Sequence, residues 1–332
     1  MDYNEFKAKV VEEAGKKYPD MEISIRQQMK NNGVQLDGLT IRKKDSIIAP
    51  VIYVNKYYDD MQHGRSFESI MNAVFKTYRD NIPGKISPEK LDAGHFSDMQ
   101  DKVVFKVVSA EKNREFLKNV PHREVMDMAV IYYADVEKSI VSNASFTVTN
   151  SMMERWGVKE PDLYEAAMKN APVLMPATFK SMRDTIEGMM PPGMSDDDIF
   201  DMVEHTPKED AMYVLTNKDN SFGAAAMLYP GMLEKAAEAI QEDRIFILPS
   251  SVHEVLLVPD RGDFTSEQLR EMVTEINATQ VAPDEVLTDN VYEYDARKKE
   301  LTMPLDSPKE AVMEEDGYDG MKQDMPKPEK SR

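Results

Sequence analysis

The chain has 332 residues, a formal net charge of −19 and no cysteine. That length suggests two domains of ordinary size and a buried core. The acidity disfavours direct binding to nucleic acid backbones or anionic membranes. The missing cysteines exclude disulfides, thiolate catalysis and cysteine-ligated metal.

In chain order, residues 4–18 read as a helix capped by Asn4, with Phe6, Val10 and Ala14 at helical spacing. Two strands follow around Asn31-Asn32-Gly33, and a third runs over 47–54, interrupted by Pro50. Residues 66–79 carry the clearest helical stripe: Phe67, Ile70, Met71, Val74, Phe75 and Tyr78. Residues 103–108 form a strand, 111–118 a short helix, 125–134 a long strand and 145–148 another. Ser151 to Glu154 has the form of a capping box, and a further helix begins near Pro161. Residues 212–215 and 224–228 read as strands, followed by a helix over 230–241. Strands at 245–248 and 252–258 precede a helix opened by the capping box of Thr265 and Gln268.

Strand–strand–helix thus appears around 125–170, 211–241 and 245–277. The hairpin connections imply an α+β fold with mixed, mainly antiparallel sheets and packed helices. The expected organisation is an N-terminal α+β domain over 1–120, a C-terminal α+β domain over 121–305 and a charged, disordered tail over 306–332. Residues 184–210, with nine acids and one lysine, read as a surface excursion. The first seven residues lack the pattern of a signal peptide, and no apolar stretch approaches ~18 residues. The expected setting is the cytoplasm.

Several strings are similar to those of a bacterial protein family of unknown function: Asp127 to Tyr133, Glu154 to Val158 with Leu163 to Asn170, Val214 to Asn217 with Gly223 to Pro230, and Leu248 to Val255. Asn31 to Gly33 and Ile52 to Asn55 extend the resemblance, which covers roughly residues 20–300. Members of that family are seen mostly in gut anaerobes, often near mobile genetic elements. The resemblance implies a bacterial cytoplasmic origin and no particular chemistry.

Reactive side chain types are most concentrated at Ser250, Ser251, His253 and Glu254. A serine hydrolase needs a base within reach of the nucleophile and an acid behind the base. On an extended strand Ser251 and His253 share one side while Glu254 takes the other. A nucleophile elbow of the Gly-x-Ser-x-Gly type does not occur. The segment is therefore expected to be a structural turn, with its serines bonded to local backbone amides. His63, His95, His122 and His205 are scattered, so no metal site is expected, and the absence of both glycine-rich phosphate motifs leaves no cofactor expected. Trp156 is expected in the core and Tyr57 and Tyr58 at a core or a groove. The functional expectation is a non-catalytic protein that binds a macromolecular partner, a protein rather than nucleic acid or membrane. A hydrolase centred on residues 250–254 is the first alternative. An acidic nucleic-acid mimic or anti-defence protein of a mobile element is the second.

Overall fold

The computed structural model describes residues 1–44, 49–82, 94–137, 144–189, 212–249 and 251–304. Ser250, most of the acidic excursion and the C-terminal tail lie outside these residues. The fold is α+β: helices pack on three sheets, and every strand pair among the described residues is antiparallel.

The first helix, α1 (Tyr3–Lys17), is capped by Asp2 rather than Asn4. The Asp2 carboxylate accepts from the Glu5 amide, and Glu5 reaches back in a reciprocal box. Strands β1 (Met21–Met29) and β2 (Gln35–Lys43) pair along their whole length, and β3 (Val51–Tyr53) adds to β2. Their turn is a 3₁₀ segment, Asn31–Gly33, in which Asn32 adopts left-handed geometry at φ 59°. Asparagine tolerates that conformation better than most residues. Then come α2 (Asn55–Gln62) and α3 (Phe67–Asp80), the latter capped by Ser66. Ile70, Met71, Val74 and Tyr78 of α3 meet Phe6, Val10, Leu39 and Ile41 in a first core, with Tyr57 and Tyr58 packed against it.

The second sheet is built from β4 (Val103–Ser109), β5 (His122–Val125), β6 (Met128–Glu137) and β7 (Ala144–Thr147), with α4 (Arg114–Leu117) between the first two. Here β6 is central: β4 lies on one side, and β5 and β7 share the other. The single strand expected over 125–134 is thus two strands. Met126 turns the chain at φ 55°, directly before Asp127, the one charge in an otherwise apolar run. The boundary expected near residue 120 falls between the paired strands β4 and β6. After β7 come α5 (Asn150–Trp156), capped by Thr149 rather than Ser151, and α6 (Glu160–Leu174), with Pro161 in its first turn.

The remaining elements are β8 (Ala177–Ser181), α7 (Met182–Met189), β9 (Tyr213–Asn217), α8 (Met232–Ile240), β10 (Arg244–Leu248), β11 (Val255–Pro259), α9 (Ser266–Thr279), β12 (Tyr292–Asp295) and β13 (Glu300–Thr302). The strands form one six-stranded sheet in the order β13-β12-β10-β11-β9-β8. Residues 224–228, expected as a strand, lie in a buried 3₁₀ helix, Gly223–Leu228. A short apolar run does not distinguish the two. Here the alanines let the backbone pack close to β9 and to the segment before β11, where a bulkier strand would not fit.

One core joins the second and third sheets. Val103, Phe105 and Val107 of β4 and Met128, Val130 and Tyr132 of β6 meet Ile245, Ile247, Tyr292 and the inner face of α6. Trp156 lies in this core. Helix α9 covers the opposite side of the six-stranded sheet through Leu269 and Val273. Among the described residues no helix is long and apolar enough to cross a membrane.

Candidate functional site

The side chains of β4 alternate. Val103, Phe105 and Val107 enter the main core, which Val104 also joins, while Lys106 and Val108 lie on the other face. Cross-strand pairing puts Lys106 opposite Ile131 and Tyr133 opposite Thr147 on that second face. Helix α4 covers part of it, where Val108, Leu117, Val120, Ala129 and Ile131 cluster. The uncovered part is the floor of a cleft of about 670 Å³. Its roof comes from the end of β1 and from Tyr53, and its far wall from Phe222, Val252, His253, Asp284 and Glu285. Segments distant in sequence therefore enclose one space.

The roof is held by asparagines. The Asn31 side chain donates to the Asp284 carbonyl at 2.9 Å. The Asn32 side chain donates to the carbonyls of Pro283 at 2.9 Å and Val286 at 2.7 Å. Asn113, itself buried, accepts from the Asn32 amide and donates to its side chain, both at 2.9 Å. The turn that joins β1 to β2 is thus also the clasp that seats the N-terminal hairpin on the rest of the molecule.

Lys106 is the unusual residue of the cleft. Its ammonium lies 4.1 Å from the centre of the Phe222 ring and 5.9 Å from that of Tyr133. No carboxylate pairs with it among the described residues. Burial, and secondarily the charge of Lys30, push its pKa down to about 8 from the ordinary 10.5. Lys30 in turn sits 4.4 Å over the Tyr53 ring and donates to the Tyr53 hydroxyl at 3.4 Å. The cleft therefore holds two cations whose close partners are aromatic rings. Such contacts offset only part of the desolvation of an ammonium.

Phe222 is held in a conformation that bulky residues avoid, at φ 52° and ψ 29°. Its amide donates to Nδ1 of His253 at 3.2 Å, and the two rings stack at 5.6 Å. Nδ1 therefore accepts, and in the neutral ring the hydrogen sits on Nε2, which faces Glu285 at 3.5 Å. The His253 carbonyl accepts from the Thr216 hydroxyl at 2.7 Å. Gly223 makes this approach possible. A Cβ there would stand 2.1 Å from the Thr216 hydroxyl and 2.5 Å from the His253 carbonyl.

These contacts locate the residues singled out in the sequence. Ser251 is buried, and its hydroxyl accepts from the His253 amide at 2.9 Å. It forms an isolated bridge with Val286, and β11 begins only at Val255, so the strand expected over 252–258 starts later and the residues before it form a bend. The His253 ring turns to Phe222 and Glu285. Glu254 is half-buried, and burial raises its pKa against the opposing charge of His253. His253 thus belongs to the cleft, together with Glu285. Sequence reasoning missed Lys106, Lys30, Phe222 and Glu285. The one visible signal was a lone charge inside Val103-Val-Phe-Lys-Val-Val108.

A second polar cluster is closed. Asp127, buried at the β5–β6 turn, accepts from the hydroxyls of Thr288 and Tyr292 and from the Asn290 side chain at 2.9 Å. Burial holds the Tyr292 hydroxyl protonated well beyond the usual tyrosine range, and the neighbouring Asp127 charge acts in the same direction. This cluster ties the second sheet to the segment leading into β12. Among the described residues no group of three or more histidine or acidic side chains is arranged to hold a metal ion.

No curated protein and no solved structure matches the chain. Residues 3–296 match a family of unknown function (DUF5688), and the chain belongs to that family.

Proposed function

We propose that this member of the family works by binding, and that its cleft takes a small anionic ligand. The observation that carries the reading is Lys106: a half-buried ammonium at the floor of a cleft with no carboxylate partner among the described residues. An uncompensated buried charge costs stability. It is retained most readily where a ligand completes it. Lys30 adds a second cation on the roof, and the volume of about 670 Å³ falls within the range of ~300–1,000 Å³ typical of small-molecule sites. That volume favours a small ligand over the protein partner expected from composition. The hydrolase alternative finds no favouring contact, because the Ser251 hydroxyl accepts from backbone and the His253 imidazole faces other groups.

The test is a melting-temperature screen of the full-length chain against inorganic phosphate, citrate, small dicarboxylates and phosphorylated sugars. At least one should raise the melting temperature of the wild type and not that of Lys106→Met. Calorimetric titration should then give a stoichiometry near one. If no anion of the set binds the wild type, or if it binds Lys106→Met equally well, the reading fails.

A further inference from the structure

Lys106 differs from an ordinary anion-binding lysine. A lysine that only attracts an anion keeps its charge best where water or a carboxylate supports it. Lys106 is instead packed beside the Phe222 ring on an apolar strand face, with Lys30 as the second cation of the same cleft. Desolvation and a neighbouring cation both favour the neutral amine, and together they are a recognised means of making a lysine nucleophilic. Lys106 also lines the cleft, where among the described residues no salt-bridge partner stands between its amine and a reactant.

We propose that Lys106 forms an imine with the carbonyl group of an aldehyde or ketone that also carries an anionic group. This rests on the cleft being an anion site. Lys30 holds the anion, and the neutral Lys106 amine attacks the carbonyl carbon. The nitrogen lone pair forms the new carbon–nitrogen bond, and the carbon–oxygen π electrons move to oxygen. Loss of the two amine hydrogens with that oxygen as water leaves a carbon–nitrogen double bond. No oxidant or reductant enters, and water is the sole by-product. The Nε2 hydrogen of His253 and the Glu285 carboxylate lie on the wall of the same cleft, where they can exchange protons with the departing oxygen through solvent. A ligand that carries its anion as a carboxylate and one that carries it as a phosphate share this chemistry, and the experiment separates them.

The full-length protein is incubated at pH 8 with pyruvate in one arm and pyridoxal 5′-phosphate in the other, each reduced with cyanoborohydride. Adducts are mapped by peptide mass spectrometry over time. Lys106 should acquire its adduct about tenfold or more faster than the mean of the other lysines in at least one arm, the arm identifying the anion. Lys106→Arg keeps a cation at the position but no nucleophile, and the fast phase should vanish. Lys30→Gln should slow the Lys106 adduct while leaving exposed lysines unchanged. Labelling spread evenly over surface lysines in both arms overturns the proposal, as does an undiminished fast phase in Lys106→Arg. Calorimetry with phosphate and citrate, which have no electrophilic carbonyl, keeps the two claims apart. Anion binding without the Lys106 adduct overturns the imine and leaves the binding function standing. Absence of both overturns both.

Discussion

Asp127 and Lys106 are charged groups of one sheet, the first at the β5–β6 turn and the second on β4, and they are treated in opposite ways. Asp127 at the turn into β6 is met by three donors brought from residues 288–292. Lys106, in the middle of β4, has two aromatic rings and a second lysine nearby. A buried charge with a full set of hydrogen bonds holds structure together, because removing it strands every partner. A buried charge without them is a standing cost that folding alone does not explain. The difference separates the part of the sheet that assembles the molecule from the part that faces a ligand.

The comparison breaks most visibly at Asp127. Asp127→Ala should lower unfolding free energy by roughly 3–5 kcal/mol, since it leaves three donors unmet, two of them buried. Chemical denaturation measures this, and a loss below about 1 kcal/mol would mean that water replaces the carboxylate freely. Lys106→Met should do the reverse. Removing an ammonium that no carboxylate pairs among the described residues, while keeping its apolar stem length, should stabilise the ligand-free protein by roughly 1–3 kcal/mol at pH 7. A destabilised Lys106→Met variant would show that the lysine has a structural partner.

The same contrast can be read as a function of pH. The folded-state pKa of Lys106 lies at about 8, below the ordinary lysine value of 10.5. Below pH 8 the ammonium is charged in both states and its burial penalty is complete. Between about 8 and 10.5 the folded protein has released the proton while the unfolded chain still holds it, so this residue's contribution to stability rises with pH. Above 10.5 the penalty is gone. The stability difference between Lys106→Met and wild type should therefore shrink across that window, and a difference that stays constant would place the pKa elsewhere. The smallest effect belongs to Ser251. Ser251→Ala loses one acceptor for the His253 amide and should cost about 1 kcal/mol. Anion binding should be nearly preserved. Loss of all binding without loss of stability would return the hydroxyl to the centre of the chemistry.

Much of the fold was legible in the chain. The stripe of Ile70, Met71, Val74 and Tyr78 gave α3 and its buried face, and the box of Thr265 and Gln268 gave the start of α9. Both signals are local, since a helix closes its own hydrogen bonds and the pattern of one turn constrains the next. Where the sequence misled, the deciding contact lay far away. Residues 224–228 suit a strand as well as a 3₁₀ helix, and the helix they form starts at Gly223, which approaches Thr216 and His253 too closely for a Cβ. The break at Met126 likewise serves the partners of Asp127, which lie more than 160 residues on.

The candidate site follows the same division. By itself the sequence determined that β4 is a strand with one charge among apolar neighbours, that Asn31-Asn32-Gly33 is a turn, and that residues 251–254 gather polar groups beside a strand. Each is a matter of side chain type and spacing along the backbone. Only the tertiary structure decided that these three features line one cleft, that the His253 ring turns to Phe222 and Glu285 rather than to Ser251, and that Lys106 has no carboxylate partner among the described residues. The physical reason is that desolvation and pairing are properties of the space around a group. That space is built by segments the chain brings together only when it folds.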